Sequence, residues 1–96
     1  MANFYLNIFC SSSKPVPNNI TPKVDDTVIF VNNTGAEVEL KFSDPDKFKS
    51  KKSKITIPSP GDKTLTIGDN KKATTYKWKC PNSPELATRT GRIDPS

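Results

Sequence analysis

Glu37-Val38-Glu39-Leu40-Lys41-Phe42 is the stretch that decides the fold of this chain. Apolar and charged residues alternate through it without a slip. Val38, Leu40 and Phe42 therefore share one face of an extended strand, with Glu37, Glu39 and Lys41 on the other. A strand of an antiparallel sheet, packed on one side and wet on the other, reads this way. The same period of two recurs in both directions along the chain. Upstream, Phe4, Leu6, Ile8 and Cys10 line one face, and Thr27-Val28-Ile29-Phe30-Val31-Asn32 is a β-branched and aromatic run. Downstream come Ile55-Thr56-Ile57, then Leu65 and Ile67, then Tyr76, Trp78 and Cys80 with Lys77 and Lys79 pointing away, and a brief Arg92-Ile93-Asp94. Seven short strands in one domain spanning residues 1–96 predict an all-β sandwich. Val38, Leu40, Phe42, Phe30, Leu65, Tyr76 and Trp78 are expected to supply much of its core.

The punctuation between the strands agrees. Nine prolines against four glycines speak for fixed turns. Asn32-Asn33-Thr34-Gly35, Pro58-Ser59-Pro60-Gly61 and Gly68-Asp69-Asn70 each stop a run. Asp44-Pro45-Asp46 predicts a short helical turn with Pro45 at its first position. Ser83-Pro84-Glu85-Leu86 predicts another, with Ser83 as N-cap and Gly91 as its stop. One or two such turns are the most helix this pattern holds.

Ninety-six residues bury only about two-thirds of their unfolded surface, so the core is small. The chain contains no histidine. That zero removes Ser-His-Asp and Cys-His nucleophiles, histidine bases and histidine-containing metal sites. Glu37 and Glu39, spaced i, i+2 on a wet face, are ordinary solvent decoration, and no enzyme activity is expected. Asp25-Asp26 and Asp44/Asp46 lack a calcium-loop pattern and read as caps and turn formers. The two cysteines, Cys10 and Cys80, form no C-x-x-C motif. Two buried thiols are the plainer expectation, with a disulfide left open. The N-terminus shows no signal-peptide pattern and no run reaches the ~18 apolar residues of a membrane span. As written the chain reads as unexported, although a chain trimmed ahead of Met1 would read identically.

Three segments in order resemble the cupredoxins, the plastocyanin- and azurin-type Greek-key sandwiches. They are Val24-Asp-Asp-Thr-Val-Ile-Phe-Val-Asn-Asn-Thr-Gly35, Ile57-Pro-Ser-Pro-Gly61, and Thr75-Tyr-Lys-Trp-Lys-Cys80-Pro with Gly91-Arg-Ile93 after it. The resemblance covers roughly residues 20–94 and implies the fold. It also implies a copper site, and this chain departs from that site. The family's first imidazole position falls on Val38, its thiolate on Cys80, its second imidazole on Ser83 and its axial methionine near Thr88 or Arg89. One ligand of four survives, whereas a blue-copper centre takes two imidazoles and a thiolate. No cofactor is therefore expected.

Charge supplies the remaining clue. Fifteen basic residues face ten acidic ones, a net +5, and Lys47-Phe48-Lys49-Ser50-Lys51-Lys52-Ser53-Lys54 packs five lysines into eight positions. All of the net charge sits in that one run. Lys47, Phe48, Lys49, Lys51, Lys52 and Lys54 are thus the candidate interaction surface, for an acidic protein partner. The competing expectation is a solvated loop that guards a sheet edge. Specific nucleic-acid binding is disfavoured, since only Arg89 and Arg92 make bidentate contacts and Phe48 alone is no stacking platform. The sequence reads as a monomeric, copper-free, cupredoxin-like interaction module. An electron carrier using Cys80 with other ligands is the alternative, and a basic-loop binder of nucleic acid or an anionic surface the third reading.

Overall fold

The alternation read from Glu37–Phe42 is the packing pattern of the molecule. Strand β4 (Val38–Phe42) buries Val38, Leu40 and Phe42 and exposes Glu39 and Lys41. The computed structural model describes residues 2–10, 15, 19–69, 71–79 and 89–95. Around β4 stand β1 (Asn3–Ile8), β2 (Asn19–Ile20), β3 (Thr27–Asn32), β5 (Lys54–Ile57), β6 (Gly61–Thr66), β7 (Thr74–Trp78) and β8 (Arg89–Ile93). They form two sheets, a small one ordered β1-β3-β6 and a large one ordered β2-β8-β7-β4-β5. The pairs β1–β3 and β2–β8 are parallel, and the others are antiparallel. This is the predicted Greek-key sandwich with one strand more than the seven expected. The addition, β2, is only two residues long, too short to show an alternation.

Inward residues of the two sheets interdigitate. Leu6, Ile8, Val28 and Phe30 of the small sheet meet Leu40, Phe42, Ile57, Tyr76, Trp78 and Ile93 of the large one in a single cluster. Phe30 is the hub, with its ring 5.2 Å from Tyr76 and 5.8 Å from Phe42 in tilted or edge-on contact, the favoured aromatic geometries. Leu65 is only partly buried and packs on the rim of this core.

Short polar devices fix the connections. Asp44 accepts a hydrogen bond from the Asp46 amide at 3.2 Å and caps the predicted turn, a single 3-10 turn at Pro45–Lys47. Asp26 accepts from the amides of Ala2 (2.8 Å) and Lys23 (2.9 Å), pinning the start of β1 to the start of β3. Those two backbone hydrogen bonds hold its carboxyl below the usual aspartate range. The Asn32 amide donates to the carbonyls of Ala36 (2.8 Å) and Ile57 (3.0 Å) while its oxygen accepts from the Thr34 amide (2.9 Å). One buried side chain thereby ties the end of β3 to the following turn and to the end of β5.

Two expectations need correction here. Gly91, read as a helix stop, lies inside β8 opposite Tyr76. A Cβ there would stand 2.3 Å from the Tyr76 ring, so the strand needs glycine to let the ring lie flat against its backbone. Cys10, read as a buried thiol, is disulfide-bonded, and the sequence has one other cysteine, Cys80. The reading of Ser83–Leu86 as a helix start falls outside the described residues.

Candidate functional site

Two places bear on function, the end of the sandwich where the resemblance puts a metal and the surface where the lysines gather. At the first, β4 begins with Val38, which is 3% exposed and paired with Ile57 of β5. The Trp78 indole donates to the Phe9 carbonyl at 3.2 Å, and the Arg89 guanidinium donates to the Cys10 carbonyl at 2.5 Å. The groups described at this end are a branched alkyl chain, an indole and a guanidinium. None offers a lone pair to a soft metal. The sulfur of Cys10 is held in its disulfide, and among the described residues no three histidine, cysteine or carboxylate side chains cluster as a metal site. Cys80, Ser83 and Thr88 lie outside the described residues. By sequence they supply no imidazole. The residue set therefore does not fit type 1 copper.

The lysine run divides on folding. Lys47 and Phe48, two members of the expected surface, are fully buried and belong to the interior. Phe48 completes the aromatic cluster, 4.7 Å from Phe42 and 6.5 Å from Phe30. Its backbone bridges to Ile67, so the run closes the bottom of the sandwich by lashing the 3-10 turn to the end of β6. Lys47 comes in with it. Its carbonyl accepts from the Gly68 amide at 2.8 Å, and its ammonium donates to the Asp94 carbonyl at 3.4 Å. Burial pulls that ammonium below the usual lysine range, partly offset by Asp69, Asp94 and Asp44 nearby. Lys49 is exposed and ion-paired with Asp25. Lys51 and Lys52 are exposed in the loop, with Lys51 in the left-handed region at φ 55°. Lys54 is exposed at the head of β5, an edge strand.

Sheet register then adds residues that no single run contains. Lys54 stands directly opposite Lys41, and Lys41 directly opposite Lys77. Three lysines thus form a row across β5, β4 and β7, with Cβ atoms about 5 Å apart. Beside the row a groove of about 420 Å³ opens between Glu37, Glu39 and Lys41 on β4's side and Lys77 and Lys79 on β7's side, with Val38 and Trp78 contributing to its lining. The Glu39–Lys41 pair, at 3.9 Å and well exposed, is a weak contact. On the neighbouring strand Arg92 is ion-paired with Asp94, whose carboxyl is lowered by that guanidinium and by the Asn19 amide at 2.6 Å. Among the described residues Lys54, Lys77 and Lys79 form no ion pair within 4.0 Å. The alternation of β4 and β7 marks these lysines as outward. Their alignment depends on a strand pairing with no local signature.

With this geometry in hand, the class of fold is that of the cupredoxins. The particular likenesses include several amicyanin structures. The reduced state of one amicyanin variant superposes with a TM-score of 0.55 at 18% identity, covering 95% of this chain and 79% of that one. A Cu(I) form of a second variant gives 0.50 at 17% identity, and the oxidised state of a third gives 0.50 at 16%, with the same coverage. Identity this low supports the shared fold alone. No family model and no curated protein matches the sequence. No helix among the described residues is long and apolar enough to cross a membrane.

Proposed function

We propose that this chain is a non-enzymatic, cupredoxin-like binding module that carries no type 1 copper and acts through its surface. The observation that carries the reading is Val38. At the position where the resemblance calls for an imidazole, the fold holds a valine packed in the core and paired across to Ile57. An alkyl side chain cannot be recruited as a ligand, and a chain without histidine has no substitute imidazole. The disulfide at Cys10 suits an oxidising compartment and takes that sulfur out of use as a thiolate ligand. Copper titration tests this, run on the oxidised protein and again after reduction. No intense visible thiolate-to-copper band is expected in either. Such a band, abolished by Cys80→Ser, would make the electron-carrier reading the right one.

A further inference from the structure

We propose that the outer face of the large sheet, centred on the row Lys54–Lys41–Lys77, is a docking site for an acidic polypeptide segment. The proposal rests on the reading of the chain as a surface-acting module and names that surface.

The row is costly to keep. Like charges placed directly opposite each other across strands repel, yet two successive strand pairs, β5–β4 and β4–β7, both put lysine against lysine. Edge protection accounts for Lys54, because β5 is an edge. It does not account for Lys41 and Lys77, which lie on interior strands whose edges are already paired. The fold does not demand charge at outward positions either. The small sheet presents Asn3, Tyr5, Asn7, Thr27 and Thr64 there with one carboxylate, Asp62, and sets no like charges opposite each other. A row of ammonium groups held at strand spacing, with only the exposed Glu39 contact at 3.9 Å to Lys41 against it among the described residues, is preorganised for carboxylates arriving together.

The kind of partner follows from what surrounds the row. Lysine ammoniums are point charges, without the bidentate fork that favours phosphate. A long uniform polyanion such as duplex DNA or a sulfated polysaccharide would run over Glu37 and Glu39, on the far wall of the adjoining groove, and be repelled. A polypeptide can set carboxylates on the lysine row and an uncharged or basic residue over the two glutamates. The walls of the groove, Glu37, Glu39 and Lys41 on one side and Lys77 and Lys79 on the other, suit such a mixed surface and oppose a uniform one.

The test uses the metal-free chain and a short capped peptide of alternating glutamate and threonine, with binding read by calorimetry at low salt. Peptide binding that weakens as salt rises is expected. Lys41→Thr with Lys77→Thr should weaken it by about tenfold without lowering the melting temperature, since threonine is a good strand residue. A control pair of equal charge change, Lys51→Asn with Lys52→Thr in the loop, should leave affinity within about twofold, asparagine being tolerated at the positive φ of position 51. An equal loss in both variants would mean net charge alone, and would overturn the site. Tighter binding of duplex DNA or a sulfated polysaccharide at matched charge would overturn the choice of partner. Absence of peptide binding at low salt would overturn the proposal outright. A blue copper band would sink the copper-free reading and leave the peptide measurement, made in chelator, standing.

Discussion

The two sheets obey one rule inward and two rules outward. Facing the core, β3 offers Val28 and Phe30 and β7 offers Tyr76 and Trp78, all within 1% of complete burial. On their outer faces, the small sheet sets Asn3 against Thr27 and Tyr5 against Ile29, itself covered, while the large sheet sets Lys54 against Lys41 against Lys77. Inward residues are constrained by packing, so they report the fold and little else. Outward residues are nearly free of that constraint. Like charges opposed on one sheet and none opposed on the other is therefore a difference that folding does not explain.

The comparison breaks most readily at the inner face of β7. Trp78→Ala should cost about 3–5 kcal/mol, as deleted core aromatics do, whereas Lys77→Ala, its outward neighbour, should stay within about 0.5 kcal/mol. Urea unfolding of the two variants side by side checks this, and comparable losses would mean that inner and outer faces are assigned backwards. Next in size is Gly91→Ala. The new Cβ would drive into the Tyr76 ring, and overpacking of this kind costs about 1–3 kcal/mol. A variant as stable as the parent would show that Tyr76 has room to move.

Acid should expose a smaller effect that both sheets share. Asp26 at the start of β3 and Asp94 just past β8 both have carboxyls lowered below 3.8. Below that unfolded value the unfolded chain binds more protons than the native one. Their contribution is therefore complete above about pH 4 and is lost as pH falls through the lower native values. Asp26→Asn should narrow the stability gap between neutral and acid conditions, and an unchanged acid limb would sever Asp26 from it. The smallest effect is the most telling. Lys41→Thr should raise stability by about 0.2–1 kcal/mol at low salt, since it removes two opposed lysine pairs, and the gain should fade as salt screens them. A loss of stability at low salt would show that the row supports the fold, and would remove the contrast between the faces.

Much of this architecture was legible before any coordinates. Glu37–Phe42 declared its strand because each inward residue is apolar and each outward one charged, and β3 did so through β-branched residues. The proposal of a copper-free module draws on the sequence itself, which contains no histidine. What stayed hidden was non-local. Phe48 sits among lysines, and the surrounding charge masked an aromatic that the core requires; Lys47 was drawn in by the same closure. Lys41 and Lys77 are 36 positions apart in the numbering, and nothing nearby says that β4 and β7 are neighbours. Gly91 misled because glycine stops helices more often than it makes room for a tyrosine ring. The pairing state of Cys10 was unreadable, because cysteine spacing says nothing about distance in space.

Asn32 gives the molecule a clock. Its side-chain amide donates into the carbonyls of Ala36, Ile57 and Pro58, three acceptors around one nitrogen. Hydrolysis of that amide, the commonest slow chemical ageing of asparagine, would replace a donor with a negatively charged oxygen facing those same acceptors. The clamp between β3, its turn and β5 would then become a repulsion, and the loss would be abrupt because one group carries all three bonds. While the fold is intact the buried amide is shielded from water. Ageing at this corner should accordingly follow how often it opens.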